Sequence, residues 1–438
     1  MADFFNEKAL NQLAKQTGFI KRKSAKLLGH HFLNILVFMH LPDNKQSLRG
    51  YAVDCHNSFD IKITKQSLQK RFNKYAVRFM GEALSWLLHK HILPTGQPMG
   101  KLRAFNRVRI KDSTRFNLPA SFKEKYTGIG GVANLSKAMM SIQYEYDLLS
   151  GQTLDLRLTR GTDNDQRDAS VYTNDIEQGD LLIRDLGYAT LNYFSKIISK
   201  GAFFLNRLHP QKKVYYKAKP DKEVDLKACL QKLKKYQLAY LSLEVLIGSE
   251  DKIPSRLIIS QVDQRSYEKR LKSTAKAARS TENIKEDFRI RCRLNLFITN
   301  ASEEDLPSRD VQSIYSLRWQ IELIFKIWKS QATITAIKEV QIQRFECQLL
   351  GKMIYLVLHW KLFRWLDNRH RSKNKTRILS VWKYFTIAFQ LSEVFRRTTL
   401  DNKKINEFLS ILLDKPIEQL VLEPKNRKPN NYQRFMTY

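Results

Sequence analysis

The stretch Tyr315-Ser-Leu-Arg318-Trp-Gln-Ile-Glu322-Leu-Ile-Phe-Lys326-Ile-Trp-Lys329 decides how this chain is read. On a helix, Tyr315, Arg318, Glu322, Lys326 and Lys329 fall at about 0°, 300°, 340°, 20° and 320°. The five share one narrow polar stripe, while Leu317, Trp319, Ile321, Leu323, Ile324, Phe325, Ile327 and Trp328 fill most of the remaining circumference. A helix apolar nearly all round is normally buried. A buried carboxylate among cations must then be paired, bound to metal or turned into a cleft. Two readings follow. Either the stripe lines a site, or it faces solvent with Arg318, Lys326 and Lys329 flanking Glu322 as ordinary helical ion pairs.

Around this stretch lies a basic chain of 438 residues, long enough for about two to four domains. Hydrophobic residues make up 43% and aromatics 11%, enough for packed cores and against wholesale disorder. Lys and Arg number 76 against 43 Asp and Glu, a formal charge of +33, which points to a polyanion and first of all to nucleic acid. The positives are spread along the chain, so several domains are expected to touch the same polymer. Cys55, Cys229, Cys292 and Cys347 lie far apart without a CxxC pair, which suits a reducing cytosol. The first residues lack a signal-peptide layout. The apolar run 27–41 is too short and too polar for a bilayer span.

Residues 1–95 read as helical, with Thr64 a candidate N-cap for a helix showing Lys65, Gln66, Ser67, Gln69, Lys70 and Arg71 on its outer face. Such a helix could enter a major groove or be a plain basic surface helix. The breaker cluster Pro94-Thr-Gly-Gln-Pro98-Met-Gly100 marks a boundary. Beyond it, 138–146 and 153–159 read as a hairpin turning at Ser150-Gly151, and 105–110, 180–185 and 203–207 as further strands. Helices at 163–176 and 191–200 between them indicate an α/β core. The expected layout is a helical DNA-binding domain (1–95), a first core segment (100–209), a β-rich insertion (210–291), a second core segment with the Glu322 helix (292–335) and a helical C-terminal region (336–438). The last fifteen residues read as a frayed tail. Gly128-Ile-Gly-Gly131 lacks the Lys-Ser/Thr of a P-loop and reads as a turn, and His30-His31 as a partly exposed helical pair.

Three acids stand in an order that phosphodiester chemistry can use. Asp112, in Lys-Asp-Ser-Thr, is expected to end the first core strand. Asp185, in Arg-Asp-Leu-Gly-Tyr, ends a later short strand, and Glu322 sits on the striped helix. Two divalent cations about 3.5–4 Å apart serve such chemistry, and Mg²⁺ or Mn²⁺ prefer oxygen ligands. Glu145, Asp147, Asp155, Asp163 and Asp165 are read as solvated or capping residues.

The spacing Tyr-x2-Arg-x3-Glu-x6-Lys, with the words around Asp112 and Asp185 and Phe-Phe-Leu-Asn-Arg207-Leu after them, resembles the DDE transposases of the insertion-sequence-four family, most of all one long-proteined bacterial subgroup. The match covers about residues 105–335. The resemblance implies an α/β, ribonuclease H-like catalytic core with a β-rich insertion and helical flanks. It implies Asp112, Asp185 and Glu322 as catalytic, metal-binding acids for two Mg²⁺ or Mn²⁺ ions. Tyr315, Arg318 and Lys329 become DNA contacts beside the metals, with Lys326 on the same stripe. Excision in the family can pass through a DNA hairpin with a base flipped onto an aromatic ring, for which Trp319, Phe297 and Tyr188 are candidates. The implied protein is a cut-and-paste transposase of the bacterial cytoplasm and nucleoid. It acts as a homodimer on terminal inverted repeats and target DNA. The alternatives are a nuclease or resolvase of the same fold and a non-catalytic DNA-binding derivative.

Overall fold

In a computed structural model, residues 2–21, 26–38, 47–89, 102–129, 138–163, 165–278, 285–373, 378–399 and 417–421 are described. The breaker cluster at 94–100 and the C-terminal fifteen residues fall outside them, as does part of the 128–131 turn. Five helices open the chain: α1 (Glu7–Gln16), α2 (Gly29–Phe38), α3 (Leu48–Phe59), α4 (Lys65–Arg71) and α5 (Lys74–His89). Thr64 does cap α4, its hydroxyl accepting from the Ser67 N–H at 3.2 Å. Arg71 departs from the outer face: it donates to the Leu27 carbonyl at 3.0 Å and lies over the Phe19 ring.

The centre is one ten-stranded mixed sheet in the order β3-β2-β1-β4-β5-β10-β9-β8-β6-β7. Its strands are β1 (Arg107–Asn117), β2 (Met139–Asp147), β3 (Thr153–Arg160), β4 (Asp180–Arg184), β5 (Phe203–Arg207), β6 (Val214–Tyr216), β7 (Lys219–Glu223), β8 (Leu241–Ile247), β9 (Ile253–Gln261) and β10 (Leu294–Thr299). β1, β4 and β5 run parallel, and every other neighbouring pair is antiparallel. β4 is buried along its whole length, as a parallel strand covered on both faces must be. β7, at the edge, is exposed throughout and carries Lys219, Asp221, Lys222 and Glu223, charges that discourage edge pairing.

Between the strands run α6 (Asp165–Val171), α7 (Leu191–Ser199), α8 (Leu226–Lys235), α9 (Gln264–Ala278) and α10 (Glu286–Cys292). After β10 come α11 (Ser308–Ser316), α12 (Trp319–Ser330), the 32-residue α13 (Ile342–Lys373), α14 (Val381–Gln390) and α15 (Ser392–Thr399). α6 is shorter than the helix expected over 163–176. α13 packs on both α2 and α5, so the amino-terminal and carboxy-terminal helices share one core. It also reaches the sheet: Trp360 donates its indole N–H to the Gly151 carbonyl at 2.7 Å. Gly151 turns the β2–β3 hairpin at φ +75°, where a Cβ would meet the Arg364 side chain at 2.2 Å. Only glycine fits both demands. No helix among the described residues is long and apolar enough to cross a membrane.

Candidate active site

Strand β1 alternates Val108, Ile110 and Asp112 on one face with Arg107, Arg109 and Lys111 on the other. Its parallel pairing with β4 ends at Lys111 and Arg184. One residue further, Asp112 and Asp185 stand side by side on the face that α12 covers. Asp112 does not end its strand, contrary to expectation. β1 continues to Asn117 because β2 pairs with it that far, Asn117 opposite Met139. Asp185 does follow the last residue of β4 and precedes a short 3-10 turn at Leu186–Tyr188.

The polar stripe is not one helix. α11 ends at Ser316 and α12 starts at Trp319, and the joint is tied by i→i−3 hydrogen bonds from Leu317, Arg318, Gln320 and Ile321 to the Ile314, Tyr315, Leu317 and Arg318 carbonyls. The joint keeps right-handed helical dihedrals, so Tyr315 stays close to Arg318 although it belongs to α11. Glu322 is half-buried rather than sealed in, and Trp319 points to solvent with 63% of its surface exposed.

Arg318 is the hub. It is buried, with Nη1 donating to Asp112 Oδ2 at 2.8 Å and Nη2 donating to Glu322 Oε1 at 2.9 Å. Burial alone would weaken its charge. Asp185 and then Asp112 outweigh that and hold the guanidinium pKa above its ordinary value. The three acids, from β1, the end of β4 and α12, therefore surround one cation. For Asp112, burial dominates and lifts its pKa to about 6 despite Arg318 and the Ser113 N–H, which donates to Oδ1 at 2.8 Å. The charges of Asp185 and Asp165 push the same way.

A cleft lined by Asp112, Ser113, Thr114, Glu322, Phe325, Lys326, Lys329 and Ser330 opens beside this cluster. Lys329 donates to the Arg115 carbonyl at 3.3 Å, and burial lowers its pKa. The ion-pair partner of Glu322 is thus Arg318, not Lys329. Lys326 is exposed, its ammonium 5.2 Å from the Trp382 ring centroid. The buried Tyr315 hydroxyl lies beside Arg318 without a well-formed hydrogen bond, and its pKa is pushed up to about 12, chiefly by burial. Arg318 Nε is likewise buried and unmatched. Both suit an incoming oxygen-rich anion. Of the stacking candidates, Phe297 is buried against Tyr315 with ring centroids 5.2 Å apart. Tyr188 is also buried and donates to Gln143 Oε1 at 2.8 Å. Neither presents a free ring.

Sequence reasoning missed what lies behind the acids. On the opposite sheet face, Arg109 donates to Glu145 at 2.9 Å and Arg184 reaches the same carboxylate oxygen at 3.2 Å. Lys111 lies 2.6 Å from Asp168 and 3.0 Å from Asp155. Burial alone would raise Glu145, but Arg109, Arg184 and Lys111 overcome it and hold the carboxyl far below the usual range. Lys111 and Arg184 immediately precede Asp112 and Asp185, so this network fixes the backbone that carries both acids. Asp165 also comes close: it accepts from Gln143 at 3.1 Å, and a Cβ on Gly187 would stand 3.2 Å from its carboxylate. The glycine of Asp185-Leu-Gly-Tyr leaves room for that fourth acid.

Among the described residues, no three metal-ligating side chains are close enough to cage an ion unaided. The guanidinium of Arg318 bridges two of the acids. The donor set is all carboxylate oxygen, the chemistry that hard divalent cations take.

Residues 103–358 match the family model described as a transposase DDE domain. The chain is 32% identical over 373 residues to the transposase for insertion sequence element IS1151 of Clostridium perfringens, covering 81% of this chain and 77% of that one. It is 29% identical over 442 residues to the IS231B transposase of Bacillus thuringiensis subsp. berliner, covering 97% and 90%. To the IS231E transposase of Bacillus thuringiensis subsp. finitimus it is 33% identical over 369 residues, covering 80% and 76%.

Proposed function

Because the chain belongs to the DDE transposase family, we propose that Asp112, Asp185 and Glu322 are its metal-binding acids, in a ribonuclease H-like core that cuts and rejoins transposon ends. The protein is a DNA transposase that depends on divalent metal, and its partner is DNA. The observation that carries the site reading is the convergence of all three acids on Arg318. The strand order β3-β2-β1-β4-β5, with β4 and β5 parallel to β1, supports the ribonuclease H-like core.

Two Mg²⁺ or Mn²⁺ ions bound by these acids would activate the attacking water or 3′-OH and stabilise the leaving oxygen. The chain's own groups do the rest. Arg318 offsets the mutual repulsion of the acids and competes with a cation for their oxygens. Its fork suits bidentate contact with phosphate, Lys329 offers a point charge from the cleft wall, and Tyr315 its hydroxyl. Lys326 extends the same wall. Trp319 offers the open ring on which a displaced base could stack. Action as a homodimer on paired ends belongs to the same reading.

A strand-transfer assay tests it, using a donor that carries the element's own ends and a target plasmid. Wild-type protein should give integrated product with Mg²⁺ or Mn²⁺, and Asp185→Ala should give neither nick nor integrant while still binding the ends. Cleavage without joining would make the chain a nuclease. Cleavage by Asp185→Ala would refute the triad.

A further inference from the structure

We propose that the end of α8 and the turn leading from it to β8, residues 234–240, form a second DNA-contacting surface, gripping the duplex about six base pairs from the reacting phosphate. It rests on the active-site reading above and adds a place where the same duplex is held.

The turn is exposed along its whole length, yet it carries large apolar side chains: Tyr236 is 58% exposed, Leu238 39% and Tyr240 37%. Exposed aromatics set among cations are suited to contact with bases and sugars beside phosphates. Residues 226–243 contain four lysines and no Asp or Glu. Lys234 and Lys235 close α8 where the turn begins, with the Lys235 ammonium 5.4 Å from the Tyr236 ring centroid. A second copy of a chain with net charge +33 would be repelled here, whereas a polyanion is drawn in.

The strand register places this turn. The β4–β5 pairing, extended two residues past Ile183 and Leu205, sets Asp185 level with Arg207. Arg207 pairs with Phe297, Phe297 with Ile258, and Ile258 with Ser242. One line across the sheet thus joins Asp185 to Ser242 over four strand spacings, about 19 Å. β8 runs antiparallel to β4, so the chain just before Ser242 emerges at the sheet end where Asp185 sits. The exposed Arg207 and, preceding β10, Arg293 lie at that end between them. At about 3.4 Å per base pair, 19 Å of duplex is about six pairs.

The test uses the full-length protein and a duplex bearing the terminus that flanks its gene. Lys234→Ala/Lys235→Ala and Tyr236→Ala/Tyr240→Ala change only exposed side chains. Hydroxyl-radical footprinting should lose protection in one backbone patch about six base pairs from the mapped cleavage position. For the lysine pair, the slope of log affinity against log salt should shrink by about two. An unchanged footprint and slope would overturn the proposal. So would an unchanged footprint with a smaller mass by light scattering, which would assign the turn to contact between copies. Asp185→Ala runs alongside: its cleaving would sink the active-site reading, while the patch, read against the wild-type cut, would still decide for or against the turn.

Discussion

Arg318 and Asp112, 206 residues apart in sequence, are joined by a 2.8 Å charge-assisted hydrogen bond that ties the start of α12 to the middle of β1. The same guanidinium holds Glu322, so one side chain sets both the spacing and the charge balance of the acid cluster. Removing it should separate two properties that usually fall together. Arg318→Ala should bind Mn²⁺ more tightly, read as a larger metal-induced rise in melting temperature than in wild type, because the competing cation is gone. Its strand cleavage should nevertheless fall by at least about tenfold, the loss of one charged contact to phosphate. Equal metal shifts in the two proteins would show that the guanidinium and the metal do not share these oxygens.

Asp112 should cost the fold stability at neutral pH. Its pKa is raised from 3.8 to about 6, so ionising it is harder in the folded chain than in the unfolded one. The sign follows: the penalty is absent below pH 4, grows between about 4 and 6, and is complete above that. Asp112→Asn should therefore be more stable than wild type at pH 7.5, by on the order of 1–3 kcal/mol. The advantage should vanish near pH 4, and the variant should be inactive at both. Denaturant melts at the two pH values check this, and a destabilised Asn variant at pH 7.5 would mean that the carboxylate is there for the fold.

Glu145 behaves in the opposite way. Its carboxyl is held low by Arg109 and Arg184, so its contribution is present above its ordinary pKa and fades as pH falls below it. Glu145→Ala takes the carboxylate from the buried Arg184 guanidinium, while Arg109 keeps Asp175 and Asp180, and should cost about 3 kcal/mol in urea unfolding. Because Lys111 and Arg184 adjoin Asp112 and Asp185, any folded fraction should also cleave poorly. A loss below about 1 kcal/mol would place the network among solvated surface pairs.

Much of this was readable from the chain alone. The hairpin of β2 and β3 and the short β4 and β5 rest on period-two alternation and local turn residues, whereas Asp112, Asp185 and Glu322 are singled out as a set by their resemblance to a family motif. The break at Leu317 and Arg318 has no Gly or Pro to announce it, since the backbone stays helical and only its hydrogen bonds shorten. Asp112 lies mid-strand because β2 runs on where β4 stops, and no local pattern records a partner's length. Arg107, Arg109 and Lys111 alternate as a solvent face would. Acidic partners as remote as Asp168 and Asp180 make that face an interior.

Lys329 separates a structural from a functional stripe. It bonds the Arg115 carbonyl from the wall of the cleft, while Glu322 is served by Arg318. Lys329→Ala should shift the melting temperature by no more than about 2 °C, the size of a surface change. End binding should lose about one unit of salt slope if one phosphate contact is removed. Conversion of nicked to doubly cut ends should slow in the same variant. A clear drop in melting temperature with normal conversion would return Lys329 to the fold.

Trp319 is the last group whose role the geometry separates from packing. With Phe297 and Tyr188 buried, it is the stacking candidate whose ring is open to solvent, and it adjoins Arg318 in the chain. An exposed tryptophan supports little core, so Trp319→Ala should leave stability within about 0.5 kcal/mol. Stacking on a displaced base is worth about 1–3 kcal/mol. The variant should accordingly form the first nick normally and lose about five- to 150-fold in the later step, where the DNA is most distorted. A 2-aminopurine at the transposon end would brighten on leaving the stack and be quenched against the indole. Wild-type protein bound to ends that already carry the first nick should show that quenching, and the variant should not. Equal quenching in both proteins would exclude Trp319 as the stacking surface.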